Sequence, residues 1–278
     1  MKRCFSILLL TCSAASGQQI YDLLLKNGRV IDPANHRDGE MDVAVIGNKI
    51  VRVAPNLPVA HARVVVDLSG YMVTPGLIDV TMHLGELKPD YNTLPYGVTT
   101  AVDAGSATCA TFANFKKEVI DHAKVRVLAA IADAGCAQNP EVVPGPITII
   151  STTGPDAISS GMDSKNVVLP RVNMGTAMSI YLNLGTPVER IIERVTANPA
   201  RAIKRPQLGV LNEGGVADIA VLEIQQGKFG FLNSALARLD ATRRFHCVLT
   251  VRNGAIVWDS EGLSIPDTTH AGPYTNFK

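Results

Sequence analysis

The sequence predicts an α/β protein in which both ends of the chain build one β-rich unit around a middle of alternating strands and helices. Three observations carry this. Short aliphatic and β-branched runs, punctuated by Asn-Gly and Gly-Asn, fill residues 21–70 and return over 209–263. Between them, strand-like runs alternate with segments of helical spacing, the pattern of parallel βαβ units. The composition is globular, with 46% hydrophobic and 18% charged residues over 278 positions, enough for one sizeable core and a smaller second one.

Residues 1–17 read as a signal peptide. Lys2 and Arg3 supply the positive start, Phe5 to Leu10 a short apolar run, and Ala15-Ser16-Gly17 a cleavage site of small residues. The protein is therefore expected to be exported, periplasmic or secreted. Two other readings stay open: lipid attachment at Cys12, and an apolar first strand of the domain. The run is too short for a transmembrane span, which takes about 20 residues. A net charge of +1 with no block of like charge points away from nucleic acid. Cys109, Cys136 and Cys247 are widely spaced without a C-x-x-C, so they read as buried free thiols.

The first β segment runs from Asp22 to Leu68. Leu23-Leu24-Leu25 and Arg29-Val30-Ile31 flank Asn27-Gly28, which predicts a type I′ hairpin because both turn positions need positive φ. Val43 to Ile46 and Ile50 to Val53 flank a second turn at Gly47-Asn48, and Arg63 to Asp67 is a further strand. Near the other end, Ala217 to Leu222 is a strand, and Val248 to Val251 leads through Asn253-Gly254 into Ala255 to Trp258. In the middle, strands are expected at Val73–Val80, Gly97–Asp103, Val125–Ile131 and Ile147–Ile150. Helices are expected at Phe112–Ala123 and Gly175–Leu184. Thr186-Pro187-Val188-Glu189 predicts a capping box that opens a helix ending near Asn198-Pro199.

Several of these blocks look familiar. Tyr21 to Pro33 (YDLLLKNGRVIDP) and Val73 to Asp79 (VTPGLID) resemble the opening of the amidohydrolase superfamily, in its dihydroorotase-like and deacetylase branch. Asn198 to Ile203 (NPARAI), Leu208-Gly209-Val210-Leu211 and Gly214 to Val221 (GGVADIAV) resemble its closing blocks, in the same order. The resemblance implies a composite β-sandwich formed from both termini, residues 21–70 and 209–263, beside a TIM-like (β/α)8 barrel. It implies one or two divalent metals, typically zinc, and hydrolysis of carbon–nitrogen bonds in a small-molecule amide, cyclic amide or N-acetyl substrate. Metals in such sites polarise the carbonyl and turn bound water into a nucleophile.

Against that pattern the chain departs in three places. Members carry H-x-H at the end of the first barrel strand; here Thr81 takes the first position and only His83 remains. His83 is the candidate metal ligand, with a hydrogen-bonded loop or core histidine as its plainer reading. Pro155 to Asp163 resembles the last-strand segment that carries the metal-binding, proton-transferring aspartate, but Gly161 stands at that position. Asp163 is either a shifted substitute or a solvated loop residue. Finally, residues 71–208 span roughly 140 positions where a full barrel takes about 250. The expected barrel is therefore truncated, an incomplete TIM-like (β/α) array of roughly four or five units of about 30 residues.

Members place a bridging carboxylated lysine and two further histidines in the skipped part. No histidine lies between His122 and His246, and Lys165 sits in a loop context. Asp79, Asp103 and Asp156 remain in place, as supports for ligands or as loop and capping residues. Two functions stay open on these grounds: a metal-dependent amidohydrolase, and a pseudoenzyme that serves as a binding or oligomerisation partner. A gap from internal deletion or mistaken gene prediction is a third account of the missing part. Exposed strand edges in an open barrel predict a homo-oligomer.

Overall fold

Tyr21–Asp32 forms one strand, β1, that runs straight through Asn27-Gly28. The hairpin expected there is corrected: the dipeptide is a bulge, with Leu25 opposite Val43 and Gly28 opposite Met41 of the next strand. Asn27 alone takes a positive φ, 60°. Its N–H donates to Asp42 Oδ1 at 2.8 Å and its side-chain amide to Asp67 Oδ1 at 3.0 Å, so the left-handed residue is held by neighbouring strands. Gly28 has no room for a side chain, since a Cβ would stand 2.4 Å from Val73 Cγ2. The chain reverses instead at Pro33–Asn35, a short 3-10 turn. The same dipeptide near the other end behaves as expected: Asn253 and Gly254 take φ of 54° and 83°, and Arg252 pairs with Ala255 across the turn.

The computed structural model describes residues 20–82, 84, 88–131, 133–144, 173–232 and 238–265, the side chains of Ala134 and Pro144 excepted. The signal-peptide segment and the strand expected at Ile147–Ile150 lie outside the described residues. Within them, β2 (Arg37–Ile46), β3 (Lys49–Ala54), β4 (Ala62–Asp67) and β5 (Met72–Pro75) follow β1. Leu77–Met82 forms β6, Pro89–Thr93 α1, Val98–Asp103 β7, Phe112–Glu118 α2, Arg126–Ile131 β8 and Val142–Pro144 β9. Then come α3 (Met174–Asn183), α4 (Val188–Val195), α5 (Ala197–Ala202), β10 (Ile219–Leu232), β11 (Arg238–Arg252) and β12 (Ala255–Asp259).

Among the described residues these strands make two sheets. The larger, with eight strands, runs β12-β11-β10-β5-β1-β2-β3, with β4 beside β1. Its seam is β5, parallel to β1 on one side and antiparallel to β10 on the other, so the two ends of the chain share one hydrogen-bonded surface. The sheet also returns to itself. The Gly47-Asn48 turn meets the Asn253-Gly254 turn so closely that a Cβ on Gly254 would lie 1.9 Å from the Gly47 carbonyl oxygen. Along β10 the side chains alternate: Ile219 and Val221 enter the core with Leu23, Val43 and Leu249, whereas Ala220 and Leu222 pack beside Met178 and Ile191 of the helices. The β10–β11 hairpin reaches well beyond the strands legible in the sequence, because its outer part, rich in Gln, Lys and Arg, carries no apolar alternation.

The smaller sheet, β6-β7-β8-β9, is wholly parallel. Ala101 and Val127 pack with Phe112 and Phe115 of α2, while their neighbours Val102 and Leu128 pack with Ala200 and Ile203 at α5. Adjacent strand residues point to opposite faces, so helical segments cover both faces. β5 passes into β6 at Gly76, where a Cβ would lie 2.1 Å from Thr99 Oγ1.

Two helix expectations are corrected. No capping box forms at Thr186: α4 starts at Val188 without a side-chain cap, and Glu189 reaches Arg29 of β1 instead, at 3.1 Å. The helix breaks at Thr196, and Asn198-Pro199 sits in the first turn of α5, where a proline removes no intrahelical bond.

Asp218 joins the two sheets. Its buried carboxylate accepts from Arg126 Nη1 of β8 at 2.5 Å, from Arg252 Nη1 at 3.3 Å and from the Asn253 N–H at 2.8 Å. Its carbonyl accepts from the Gly76 N–H at 2.9 Å. Asp218→Ala strips the counter-charge from two part-buried guanidinium groups and is expected to cost about 3–5 kcal/mol in urea unfolding. Gly76→Ala is expected to cost about 1–3 kcal/mol by overpacking Thr99, read the same way.

Candidate active-site end of the parallel sheet

In open α/β sheets and barrels alike, chemistry gathers where parallel strands end. Here the C-terminal ends of β6, β7 and β8 bring Asp79, Thr81, Asp103, Cys109, Asp133 and Cys136 to one side of the molecule. β6 reaches this end through an irregularity, with Asp79 opposite Ala101 but Met82 opposite Asp103. Ile78 and Val80 pack with Val102, whereas Met82 packs with Ala101 on the other face. The alternation along β6 is therefore interrupted between Val80 and Met82, where Thr81 sits.

Each described carboxylate at this end serves the backbone. Asp79 is buried, and its Oδ1 accepts from the Thr81 N–H at 3.4 Å. Asp103, at 0% exposure, accepts from the Leu84 N–H at 2.8 Å through Oδ1, and from the Ser106 and Ala107 N–H groups at 2.8 and 3.3 Å through Oδ2. It draws the chain after β6 and the loop after β7 to one point. Asp133 Oδ1 accepts from the Gly135 N–H at 2.8 Å.

His83, Asp156, Gly161, Asp163 and Lys165 lie outside the described residues, so the structure does not place the candidate metal ligand. Among the described residues no group of three or more His, Cys, Asp or Glu side chains is placed to hold a metal. The described histidines stand elsewhere: His36 after β1, His61 before β4, His122 before β8 and His246 within β11. His122 Nδ1 lies 2.8 Å from the Lys117 carbonyl oxygen. With Thr81 in place of a histidine and both Asp103 oxygens engaged by backbone N–H groups, the described donors do not fit a catalytic zinc, which takes three protein ligands.

Two groupings were not read from the sequence. One is the contact between Arg126, Asp218 and Arg252, whose members lie far apart along the chain. The other is the meeting of Cys109 with Cys136, for which the order of parallel strands was the available signal: loops after neighbouring parallel strands leave the same edge.

Comparison with known proteins is consistent with this architecture. A family profile described as Amidohydrolase family matches residues 173–258. The dihydroorotase of Streptococcus thermophilus (strain CNRZ 1066) is 38% identical over 103 residues, 36% of this chain and 24% of that protein. The dihydroorotase of Lactococcus lactis subsp. lactis is 39% identical over 95 residues, 34% of this chain and 22% of that protein. The chain thus spans about a quarter of the length of these curated relatives. Among solved structures, an adenine deaminase superposes with a TM-score of 0.69 at 18% identity, covering 86% of this chain and 100% of that one. A dihydroorotase superposes with a TM-score of 0.67 at 16% identity, covering 86% and 99%. L-Hydantoinase (dihydropyrimidinase) from Arthrobacter aurescens gives 0.64 at 13% identity, covering 87% and 97%. At these identities the superpositions speak to fold.

Asp103→Ala is expected to lower stability by about 2–3 kcal/mol, since it leaves backbone N–H groups without their charged acceptor. Amide exchange at Leu84, Ser106 and Ala107 should accelerate most, beyond the general rise that the lower stability brings to both sheets.

Proposed function

We propose that the chain is a member of the amidohydrolase superfamily and that its reaction class is hydrolysis of a carbon–nitrogen bond in a small amide. Cyclic amides of the dihydroorotase and hydantoinase kind come first, and N-acetyl compounds second. The observation that carries this is the run of superfamily blocks at the joints of the fold. Asp32 of the first block accepts from the Leu211 N–H of a closing block at 2.9 Å, and Asp218 holds Gly76 of the second block. Gly209 lies so close to the start of α5 that a Cβ would stand 2.5 Å from the Thr196 carbonyl oxygen. On this reading the larger sheet is the composite sandwich, and β6 to β9 are the opening strands of a truncated barrel.

The superfamily is generally metal-dependent, and a bound divalent ion supplies carbonyl polarisation and an activated water. The described residues do not provide its ligand set, so no step is routed through it. What they do is shape the strand ends: Asp79 braces the end of β6, and Asp103 draws the chain after β6 to the loop after β7. The net charge of +1 and the lack of a basic block give no electrostatic footprint for nucleic acid. No helix of the described residues is long and apolar enough to cross a membrane. Export through residues 1–17 and a homo-oligomer assembled through open strand edges belong to the same reading.

A second reading is favoured by Thr81 and by the engaged oxygens of Asp103: a hydrolytically silent member whose scaffold binds or assembles. Metal content decides between them. The full chain is loaded with zinc or manganese, desalted, and assayed on dihydroorotate, hydantoin and an N-acetyl amino acid. The hydrolase reading predicts near-stoichiometric metal that His83→Ala abolishes, together with turnover of at least one substrate. The silent reading predicts neither, with metal binding that rises in Thr81→His. Stoichiometric metal that survives His83→Ala would contradict the assignment of that ligand.

A further inference from the structure

Cys109 lies in the loop between β7 and α2, and Cys136 ends the short 3-10 turn that follows β8. Because β7 and β8 are parallel neighbours, both loops leave the same edge of the sheet and meet. Cys136 is buried in the apolar cluster with Phe112, Phe115 and Ile131, and half-buried Cys109 packs against the same cluster. The backbone beside Cys136 reaches the first sulfur: a Cβ built on Gly135 would stand 3.5 Å from Cys109 Sγ. Cys136 Sγ lies 3.7 Å from the Asp133 carbonyl oxygen, so its S–H points to the backbone and its sulfur is left as an acceptor. A hydrogen bond to the Cys136 thiol, then desolvation and the nearby charge of Asp133, pushes the Cys109 thiol up to about 11. Cys247 is separate: it packs with Phe245 and Leu222, hydrogen-bonded to Thr250, and burial pushes it up to about 12.

We propose that Cys109 and Cys136 are a redox pair, able to form a disulfide that ties the β7 and β8 loops together across the candidate active-site end. Two S–H bonds break and one S–S bond forms. The two electrons and two protons pass to a small disulfide such as oxidised glutathione, which leaves as two thiols. The raised thiol makes the reaction slow at neutral pH, about tenfold faster for each pH unit gained below the value of the attacking group. A closed loop that encloses α2 removes freedom from the unfolded chain, so the oxidised form is the more heat-resistant one. The bond also fixes the spacing of the loops that Asp103 and Asp133 shape, which makes the redox state of the pair a control on whatever that end binds.

The test equilibrates the full wild-type chain with graded ratios of oxidised to reduced glutathione, quenches with acid, alkylates free thiols and maps the peptides by mass. The expected result is a joined Cys109–Cys136 peptide whose fraction rises with the oxidant ratio, with Cys247 recovered as a free thiol. A gain of several degrees in Tm accompanies it and is absent in Cys109→Ser. Recovery of both cysteines as free thiols, or as separate glutathione adducts, at the most oxidising ratio overturns the proposal. So does a bond from either of them to any other cysteine.

Discussion

One carboxylate, Asp218, carries the joint between the two halves of this molecule. It receives Arg126 from the parallel sheet, Arg252 and the Asn253 N–H from the terminal sheet, and through its carbonyl it anchors Gly76, where the chain passes from one sheet to the other. Two guanidinium groups share this single buried anion. Burial pushes the Arg252 side chain below its ordinary value, and its buried Nε is left without a partner. Such an arrangement is costly to assemble and costlier to break, because removal of the anion leaves charge in a poor solvent. Its geometric consequence is specific: β5 and β6, consecutive in sequence, are fixed in different sheets with only a glycine between them.

The blocks that resemble the amidohydrolase superfamily fall at such joints. Asp32 holds the Leu211 N–H, Gly209 lets the chain approach Thr196, and Asp218 holds Gly76. These contacts need no metal and no substrate. These joints hold the two sheets together while helical segments cover both faces of the four parallel strands, α2 against one and α5 against the other. The described carboxylates at the strand ends, Asp79, Asp103 and Asp133, do structural work of the same kind. Asp103 gathers three backbone N–H groups, a role that does not depend on chemistry.

Much of the strand content was legible because β-branched runs bounded by turn residues have few alternatives. The limits of that reading are physical. Lys26-Asn27-Gly28 and Arg252-Asn253-Gly254 are nearly the same tripeptide, yet the first is a bulge and the second a hairpin turn. What separates them is tertiary: Asp42 and Asp67 hold Asn27, and Val73 crowds Gly28, so the strand must continue. Thr186 and Glu189 had capping-box spacing, but Arg29, distant in sequence, took the glutamate. The irregularity in β6 between Asp79 and Met82 likewise has no counterpart in the aliphatic pattern of the strand. For Asp79 and Asp103 the loop and capping role was one of two readings open in the sequence, and the backbone N–H groups that donate to them favour it; which N–H groups those are was not legible, because hydrogen bonds from loops leave no periodic trace.

The central claim is that the scaffold stands as one unit through its own joints, independent of a metal at the strand ends. Native-state amide hydrogen exchange on chelator-treated and untreated full-length protein tests it most directly. The account predicts that amides of β1, β6, β7, β8 and β11 exchange as one cooperative set and that chelation changes none of them. Loss of protection confined to β6, β7 and β8 on chelation, with the terminal sheet still protected, would contradict it.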